Sequence, residues 1–287
     1  MLAKAPKSID SLVPDIYALL DPNYNHDFDE QNVLDFGKRL ASHVAGRLSD
    51  VRGNPTLRLS NIGTPCKRKL WYTINTPDKA EPLSPAARFK FLFGDILEEL
   101  LLFLAKEAGH AVEGQQDELE INGVKGHRDA IIDGRTVDCK SASTYSFKKF
   151  ASNGLREEDP FGYIEQLTGY VHGAKDDPLV KERDVASFLV VDKTLGNICL
   201  DTYPIEDVDY SKKVEDAKAI VAAKEPPERH FSDVPEGKSG NRKLGVNCSY
   251  CDFKRHCWPD LRTFVYSSGP VFLTHVEREP KVAEVSA

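Results

Sequence analysis

Between residues 126 and 143 the chain reads GHRDAIIDGRTVDCKSAS, with Asp129 on one side of an Asp133-Gly134 pair and Asp138 and Lys140 on the other. Asp-Gly between alternating apolar residues is a strong signal for a two-residue hairpin turn. With that pair as the loop, Ile132 faces Arg135, Ile131 faces Thr136, Ala130 faces Val137 and Asp129 faces Asp138. Cross-strand neighbours lie roughly 4.5–5.5 Å apart at Cβ, and like charges there are destabilising. Two carboxylates side by side therefore ask for a cation. Strand period two puts Lys140 on the face of Asp138, with His127 expected across from it. Ala130, Ile131, Ile132, Val137 and Cys139 make the pair apolar on much of both faces, where an unpaired carboxylate is costly. That favours a metal site over a solvated charged face.

A third carboxylate lies on the preceding helical segment. Glu98 shares a helical row with Phe91, Gly94, Leu101, Leu102 and Ala105, so it sits on the apolar side and needs a partner. Glu99 shares its row with Asp95 and Lys106 and reads as solvated. Gly94, one turn earlier, would let another segment approach closely. Gln166 and Tyr170, four apart, share one face of a later helix. Of six cysteines, Cys248, Cys251 and Cys257 form C-x2-C-x5-C, and Cys66 is the natural fourth thiol. Cys139 and Cys199 sit in apparent strands as small core residues. Four thiolates at one point hold zinc or an iron–sulfur cluster. The usual zinc ribbon uses two close pairs, which fits this spacing less well. Tying residue 66 to residue 248 would close a loop of about 180 residues, worth on the order of 5 kcal/mol in the chain-entropy treatment of cross-links.

The elements that must position these residues can be read from periodicity. Val33, Phe36, Leu40, Val44 and Leu48 mark a helix within 27–49. A long helix is predicted from about 86 to 108, stopping near Gly109. Residues 117–142 alternate as strands. EEDPFGYIEQLTGYVHGA reads as a helix with Asp159 as N-cap and Pro160 at its first position. Strands are predicted at 185–193 and 197–203, and a helix at 206–223. Residues 225–247 read as a linker, and the last fifteen or so residues as a frayed tail. The sum is an α/β chain, with a helical part at 1–62, a core over 63–265 and a tail at 266–287.

Composition bounds the partners. The 287 residues carry 38 basic and 45 acidic side chains, a formal net charge of −7, with 40% hydrophobic residues. That excludes a disordered or collagen-like chain and argues against bulk electrostatic capture of nucleic acid. The start, MLAKAPKSIDSLVPDIYALL, lacks an uninterrupted apolar region and a cleavage pattern, so no signal peptide or membrane span is predicted and a cytoplasmic setting is expected.

The ordered set TPCKRKLWY, FGDILEELL, GHRDAIIDGRTVDCKS, YIEQLTGY and CSYCDFKRHC resembles RecB-like nucleases of the PD-(D/E)XK superfamily. It is most similar to the iron–sulfur branch that includes CRISPR-associated exonucleases and AddB-type nucleases. The likeness runs from Cys66 to Cys257. It implies a restriction-endonuclease-like core, a central mixed sheet flanked by helices. Asp129 matches the aspartate of G-x-x-D, with Gly126 as its glycine. Asp138 and Lys140 match (D/E)-x-K, and Gln166 and Tyr170 match Q-x-x-x-Y. Cys66, Cys248, Cys251 and Cys257 match the 4Fe–4S ligands. Arg128 stands at the Pro position, and Glu98 stands where the iron–sulfur branch often has His.

The resemblance implies metal-dependent hydrolysis of DNA, with an exonuclease expected over an endonuclease. Glu98, Asp129, Asp138 and the carbonyl of Cys139 would hold one or two Mg²⁺ or Mn²⁺ ions, and Lys140, Gln166 and Tyr170 would complete the site. DNA, as single strands or duplex ends, would be gripped by Lys67-Arg68-Lys69, Arg88, Lys90, Lys148-Lys149 and Lys254-Arg255. Trp71, Tyr72, Phe147 and Trp258 would stack on bases. Recombination, repair or phage DNA processing is the expected role, with a homo-oligomer or a recombination protein as possible partner. The alternatives are processing for CRISPR adaptation, or a non-catalytic DNA-binding or assembly module on a nuclease fold.

Overall fold

The computed structural model describes residues 7–49 and 55–285; parts of the expected N-terminal helical region, at 1–6 and 50–54, and the last two tail residues lie outside the described residues. Asp133 and Gly134 have φ of 52° and 92°, the left-handed pair that a two-residue hairpin turn requires. The register follows from that turn: Ala130 pairs with Val137, Ile131 with Thr136 and Ile132 with Arg135.

Ahead of this hairpin run α1 (Leu12–Leu19), α2 (Glu30–Ser49), α3 (Leu59–Ile62), α4 (Lys67–Asn75) and α5 (Pro85–Glu107). Then come β1 (Val112–Glu113), β2 (Glu118–Ile121) and β3 (Val124–His127). The hairpin is β4 (Ala130–Ile132) and β5 (Arg135–Ala142), followed by α6 (Thr144–Ala151), α7 (Tyr163–Gly173), β6 (Glu182–Asp192), β7 (Ile198–Pro204) and α8 (Tyr210–Ala222). The central sheet has the order β1-β4-β5-β6-β7. Only β5 and β6 run parallel, the other pairs being antiparallel. A parallel neighbour needs a crossover, and α6 and α7 supply it.

Period two sorts β5 onto two layers. Val137 and Cys139 face Ile9, Leu12 and Ile16 with Leu101, Leu102 and Ala105 of α5. On the other face, Ala142 packs with Phe147 and Phe150 of α6 and Leu167 and Val171 of α7. This is a mixed sheet flanked by helices on both faces, the α/β restriction-endonuclease-like core that was expected.

Several boundaries differ from the sequence reading. The α7 helix begins at Tyr163, not at Pro160. Asp159 still caps its entry, accepting from Gly162 N (2.9 Å) and Ile164 N (2.8 Å), while glycine is required at 162, where φ is 75° and the Gly63 carbonyl leaves no room for a Cβ. The α8 helix starts four residues later than predicted, where Asp209 accepts from Lys212 N (3.0 Å). The predicted linker and tail are folded together. The linker supplies β8 (Val234–Pro235) and β9 (Arg242–Lys243) and the tail β11 (Gly269–His275) and β12 (Glu284–Val285); with β10 (Arg262–Tyr266), at the end of the predicted core, they form a second sheet ordered β12-β10-β11-β9-β8. Its short strands carry little apolar periodicity, and side-chain contacts such as Arg242 Nε to Asp233 (2.6 Å) and Thr274 Oγ1 to Asp233 (2.6 Å) link them. Between β9 and β10 lie α9 (Val246–Ser249) and α10 (Lys254–Cys257), which carry Cys248 and Cys257.

The α2 stripe is also only partly as expected. Val33 and Leu48 are exposed, while Phe36 stacks on Phe103 of α5 with ring centroids 4.8 Å apart. Much of the remaining contact is polar. Arg39 and His43 reach Glu99, and Asn32 and His26 reach Glu107. Glu99 is thus buried and paired, not solvated, because α2 covers the face of α5 that looked outward in sequence.

Candidate active site

The hairpin pairing stops at Ala130, one residue before Asp129. There the incoming strand bends away, and β3 pairs with β2 through an Asn122-Gly123 turn whose φ values are 49° and 77°. His127 consequently lies opposite Glu118, exposed, and does not face Lys140. Arg128 causes the bend. Its guanidinium is buried and bonds the Gly114 carbonyl (3.1 Å), Asp117 (2.7 Å) and Asp177 (2.6 Å). These three acceptors hold the chain in the bend at Arg128. Gly126 sits over α3, where a Cβ would lie 2.8 Å from Leu59 Cβ.

Freed from strand pairing, the Asp129 carboxylate replaces a ladder partner: Cys139 N–H donates to its Oδ2 at 2.7 Å. Asp138, one residue earlier on β5, is 2% exposed and touches the Lys140 ammonium. From α5, Glu98 accepts from Gln116 Nε2 (2.8 Å). Three carboxyl groups thus lie within electrostatic reach of one another and of one ammonium. Burial, then the charges of Asp138 and Glu99, push the Glu98 carboxyl up to about 7. Burial, then Asp138 and Glu98, hold Asp129 well above the usual carboxylate range. Burial opposes the charge on Lys140, but Asp138 and Asp129 outweigh it and raise its pKa above that of a free lysine. The lysine is therefore held as an ammonium paired with Asp138, while the crowded carboxyls of Glu98 and Asp129 retain protons that a bound cation would displace.

On α7, Gln166 Nε2 donates to the Tyr170 hydroxyl at 2.7 Å. Tyr170 is buried, and burial together with Asp138 raises its phenol above the ordinary value. The helix presents a third member to this group: Tyr163, whose ring lies 5.2 Å from Lys140 Nζ. Tyr163, Gln166 and Tyr170 recur at i, i+3 and i+7, the spacing of one helix face, a signal that would have flagged Tyr163. Gln116 had no comparable signal, because it acts from a loop with φ of 57°. Gly94 is not a point of tight approach, since the nearest atom to a Cβ there would be Ser141 Oγ at 3.6 Å.

The donor set suits a hard divalent cation, being carboxylate and carbonyl oxygen throughout. Among the described residues no three His, Cys, Asp or Glu side chains converge closely enough to hold an ion as they stand. The carboxylates are neighbours under mutual repulsion, not a closed cage.

The thiols approach one another from the two ends of the core without closing into a metal-holding group as they stand. Cys66 caps α4, its Sγ accepting from Lys69 N at 3.4 Å. Cys248, Cys251 and Cys257 come from the α9–α10 segment, and all four are free and half-buried. Burial raises the Cys248 thiol to about 11, and Cys251, Cys66 and Cys257 add to the effect, so the four lie within mutual electrostatic reach. Trp71, Tyr72 and Phe253 pack beside Cys251 and Cys257. Glu81 fastens the segment by bonding Lys254 and Arg255, and its N–H donates to the Asp252 carbonyl at 2.8 Å.

That packing overturns part of the expected DNA grip. Trp71, Tyr72 and Phe147 are buried, and the Arg229 guanidinium lies 4.1 Å from the Trp258 ring. Lys67 donates to the Ile62 carbonyl, Arg68 to that of Pro227 and Arg88 to that of Arg47. Aromatic-basic runs that look like a binding face are here taken up by packing and by backbone carbonyls of the chain itself.

No family model and no curated protein matches this chain. Solved structures similar to it include two of low identity. The crystal structure of SSO0001 has 16% identity, covers 77% of this chain and 95% of its own, and has a TM-score of 0.43. The alkaline exonuclease LHK-Exo from Laribacter hongkongensis has 14% identity, covers 63% of this chain and 91% of its own, and has a TM-score of 0.34. At that identity and overlap neither bears on the chemistry. Among the described residues no helix is long and apolar enough to cross a membrane.

Proposed function

We propose that the chain is a divalent-metal-dependent deoxyribonuclease acting from DNA ends. The observation that supports this reading is the placing of Asp129, held by the Cys139 N–H, and of Glu98 within electrostatic reach of the Asp138–Lys140 pair. Glu98, Asp129, Asp138 and the Cys139 carbonyl would hold one or two Mg²⁺ or Mn²⁺ ions. Such an ion, when bound, polarises a phosphoryl oxygen and makes water a better nucleophile at neutral pH.

The side chains of the chain itself do the rest. Lys140, charged across the neutral range, donates to a non-bridging phosphate oxygen and stabilises the negative charge that grows there. Asp138 orients the ammonium by direct contact, and the Tyr163 ring borders it. The Gln166–Tyr170 hydrogen bond stiffens the α7 face against which the phosphate would rest. Cys66, Cys248, Cys251 and Cys257 would hold a 4Fe–4S cluster that clamps the second sheet and α9–α10 onto α4. The role would lie in recombination, repair or phage DNA processing.

The test is digestion of end-labelled DNA with Mn²⁺ by the parent and by Asp138→Ala and Lys140→Ala. Loss of one positioned charge costs about 10²–10³-fold or more in rate. Cleavage at the parental rate by both folded variants would sink the assignment. Products released only from internal sites would replace the exonuclease reading by an endonuclease one.

A further inference from the structure

The cavity lined by Lys140 continues outward as a groove of about 480 Å³ between α6, the loop before α7 and the thiol-bearing α9. Its walls carry rings and cations. From solvent inward, Tyr250 neighbours Phe161 (centroids 6.3 Å), Phe161 neighbours Tyr163 (5.5 Å), and Tyr163 meets Lys140. Tyr145 stands on the α6 wall with the Lys149 ammonium 5.8 Å from its ring. Tyr145, Tyr250 and Phe161 are 74%, 73% and 48% exposed, an arrangement that packing of this chain alone does not require. Clustered exposed rings mark interaction sites. The ammonium groups of Lys140, Lys149 and Lys193 line the same groove with one carboxylate, Glu158, which pairs with Lys149 at 2.5 Å.

We propose that this groove binds the unpaired end of a DNA strand, with bases stacked on Tyr145, Phe161 and Tyr250 and the backbone led to Lys140. The proposal rests on the nuclease reading and names its substrate as single-stranded. Three features select that occupant. Ring faces are free to stack only when bases are unpaired, and such stacking is indifferent to sequence. The excess of lysine complements phosphate. A groove of about 480 Å³ has room for part of one strand and none for a paired duplex. Tyr250 lies between Cys248 and Cys251, and Asn247 Nδ2 donates to the Pro160 carbonyl at 2.9 Å, so the thiol-bearing segment forms and fastens one wall.

The experiment is fluorescence anisotropy of labelled oligothymidylate and of a blunt duplex, with Ca²⁺ as the divalent ion, alongside cleavage in Mn²⁺. The full chain should bind the single strand more tightly than the duplex. Tyr145→Ala and Tyr250→Ala, at exposed positions that leave the fold intact, should each weaken single-strand binding by about 5- to 150-fold. Tyr250→Phe, which keeps the ring, should restore the affinity. Equal affinity for both substrates, or unchanged binding in both alanine variants, would overturn the groove assignment. Single-strand binding that depends on the two tyrosines without any Mn²⁺ cleavage would leave the groove standing and remove the nuclease reading.

Discussion

Replacing Glu98 by glutamine should stabilise the metal-free protein at high pH. Glu98 titrates at about 7 in the folded chain against an ordinary 4.5, because it is buried beside Asp138 and Glu99. A carboxyl raised on folding keeps its proton where the unfolded chain has lost it. Folding is therefore favoured at low pH, and stability falls as pH rises from about 4.5 to about 7. The gap corresponds to at most about 3.5 kcal/mol, at roughly 1.4 kcal/mol per tenfold. With an unfolding entropy of about 2.1 cal/mol/K per residue, a chain of 287 residues would lose at most about 6 °C in Tm over that window. The introduced amide retains an oxygen that can accept from Gln116 but cannot ionise, so Glu98→Gln should match the parent near pH 4.5 and melt several degrees higher near pH 8. Mn²⁺ should raise the parental Tm at pH 8 and raise that of the variant less. Differential scanning fluorimetry in chelator and in Mn²⁺, stepped through this range, reads all four curves. Parent and variant that melt together at pH 8 in chelator would refute the claim that Glu98 sits among crowded carboxyls.

Three further outcomes follow from the site's supports. Gly126→Ala forces a Cβ to within 2.8 Å of Leu59 Cβ and should cost about 1–3 kcal/mol, read by urea denaturation, because α3 must shift to accommodate it. Arg128→Met removes the buried guanidinium from Asp117 and Asp177 and should cost about 3–5 kcal/mol; it should also release Asp129 and depress Mn²⁺ affinity, measured by titration calorimetry. Anaerobically purified parent should be brown, absorbing near roughly 400 nm, whereas Cys66→Ser should lose that absorbance and melt at lower temperature. A colourless parent with one zinc per chain would replace the cluster by zinc.

The local chemistry was legible because it is local. Asp-Gly demands a left-handed turn, the turn sets the register, and the register brings Val137 opposite Ala130 and aims Asp138 and Lys140 to one face. The i, i+4 spacing of Gln166 and Tyr170 likewise needs only helix geometry. What failed in the sequence reading depended on distant segments. His127 was expected across from Lys140, but Arg128 bends the strand by reaching Asp117 and Asp177, a residue 49 positions away in sequence. Glu99 looked solvated until α2, some 60 residues upstream, covered it with Arg39 and His43.

The aromatics show the same division. Trp71, Tyr72 and Phe147 stand beside basic residues as base-stacking rings would, yet each is buried: Trp71 and Tyr72 pack with Phe253, and Phe147 with Phe150 and Leu167 of the core. The rings that remain in solvent beside Lys140 come from Tyr145, Phe161 and Tyr250, which have no common periodicity and meet only when the crossover and the thiol-bearing segment fold onto the same edge of the sheet. By itself, the sequence determined the hairpin, its register and the kind of side chain at each site position, since these follow from φ, pleat and helix pitch within a few residues. Which carboxylates are buried together, which rings stay exposed and which end of the chain walls the groove were decided by tertiary structure alone, because burial depends on what other segments cover.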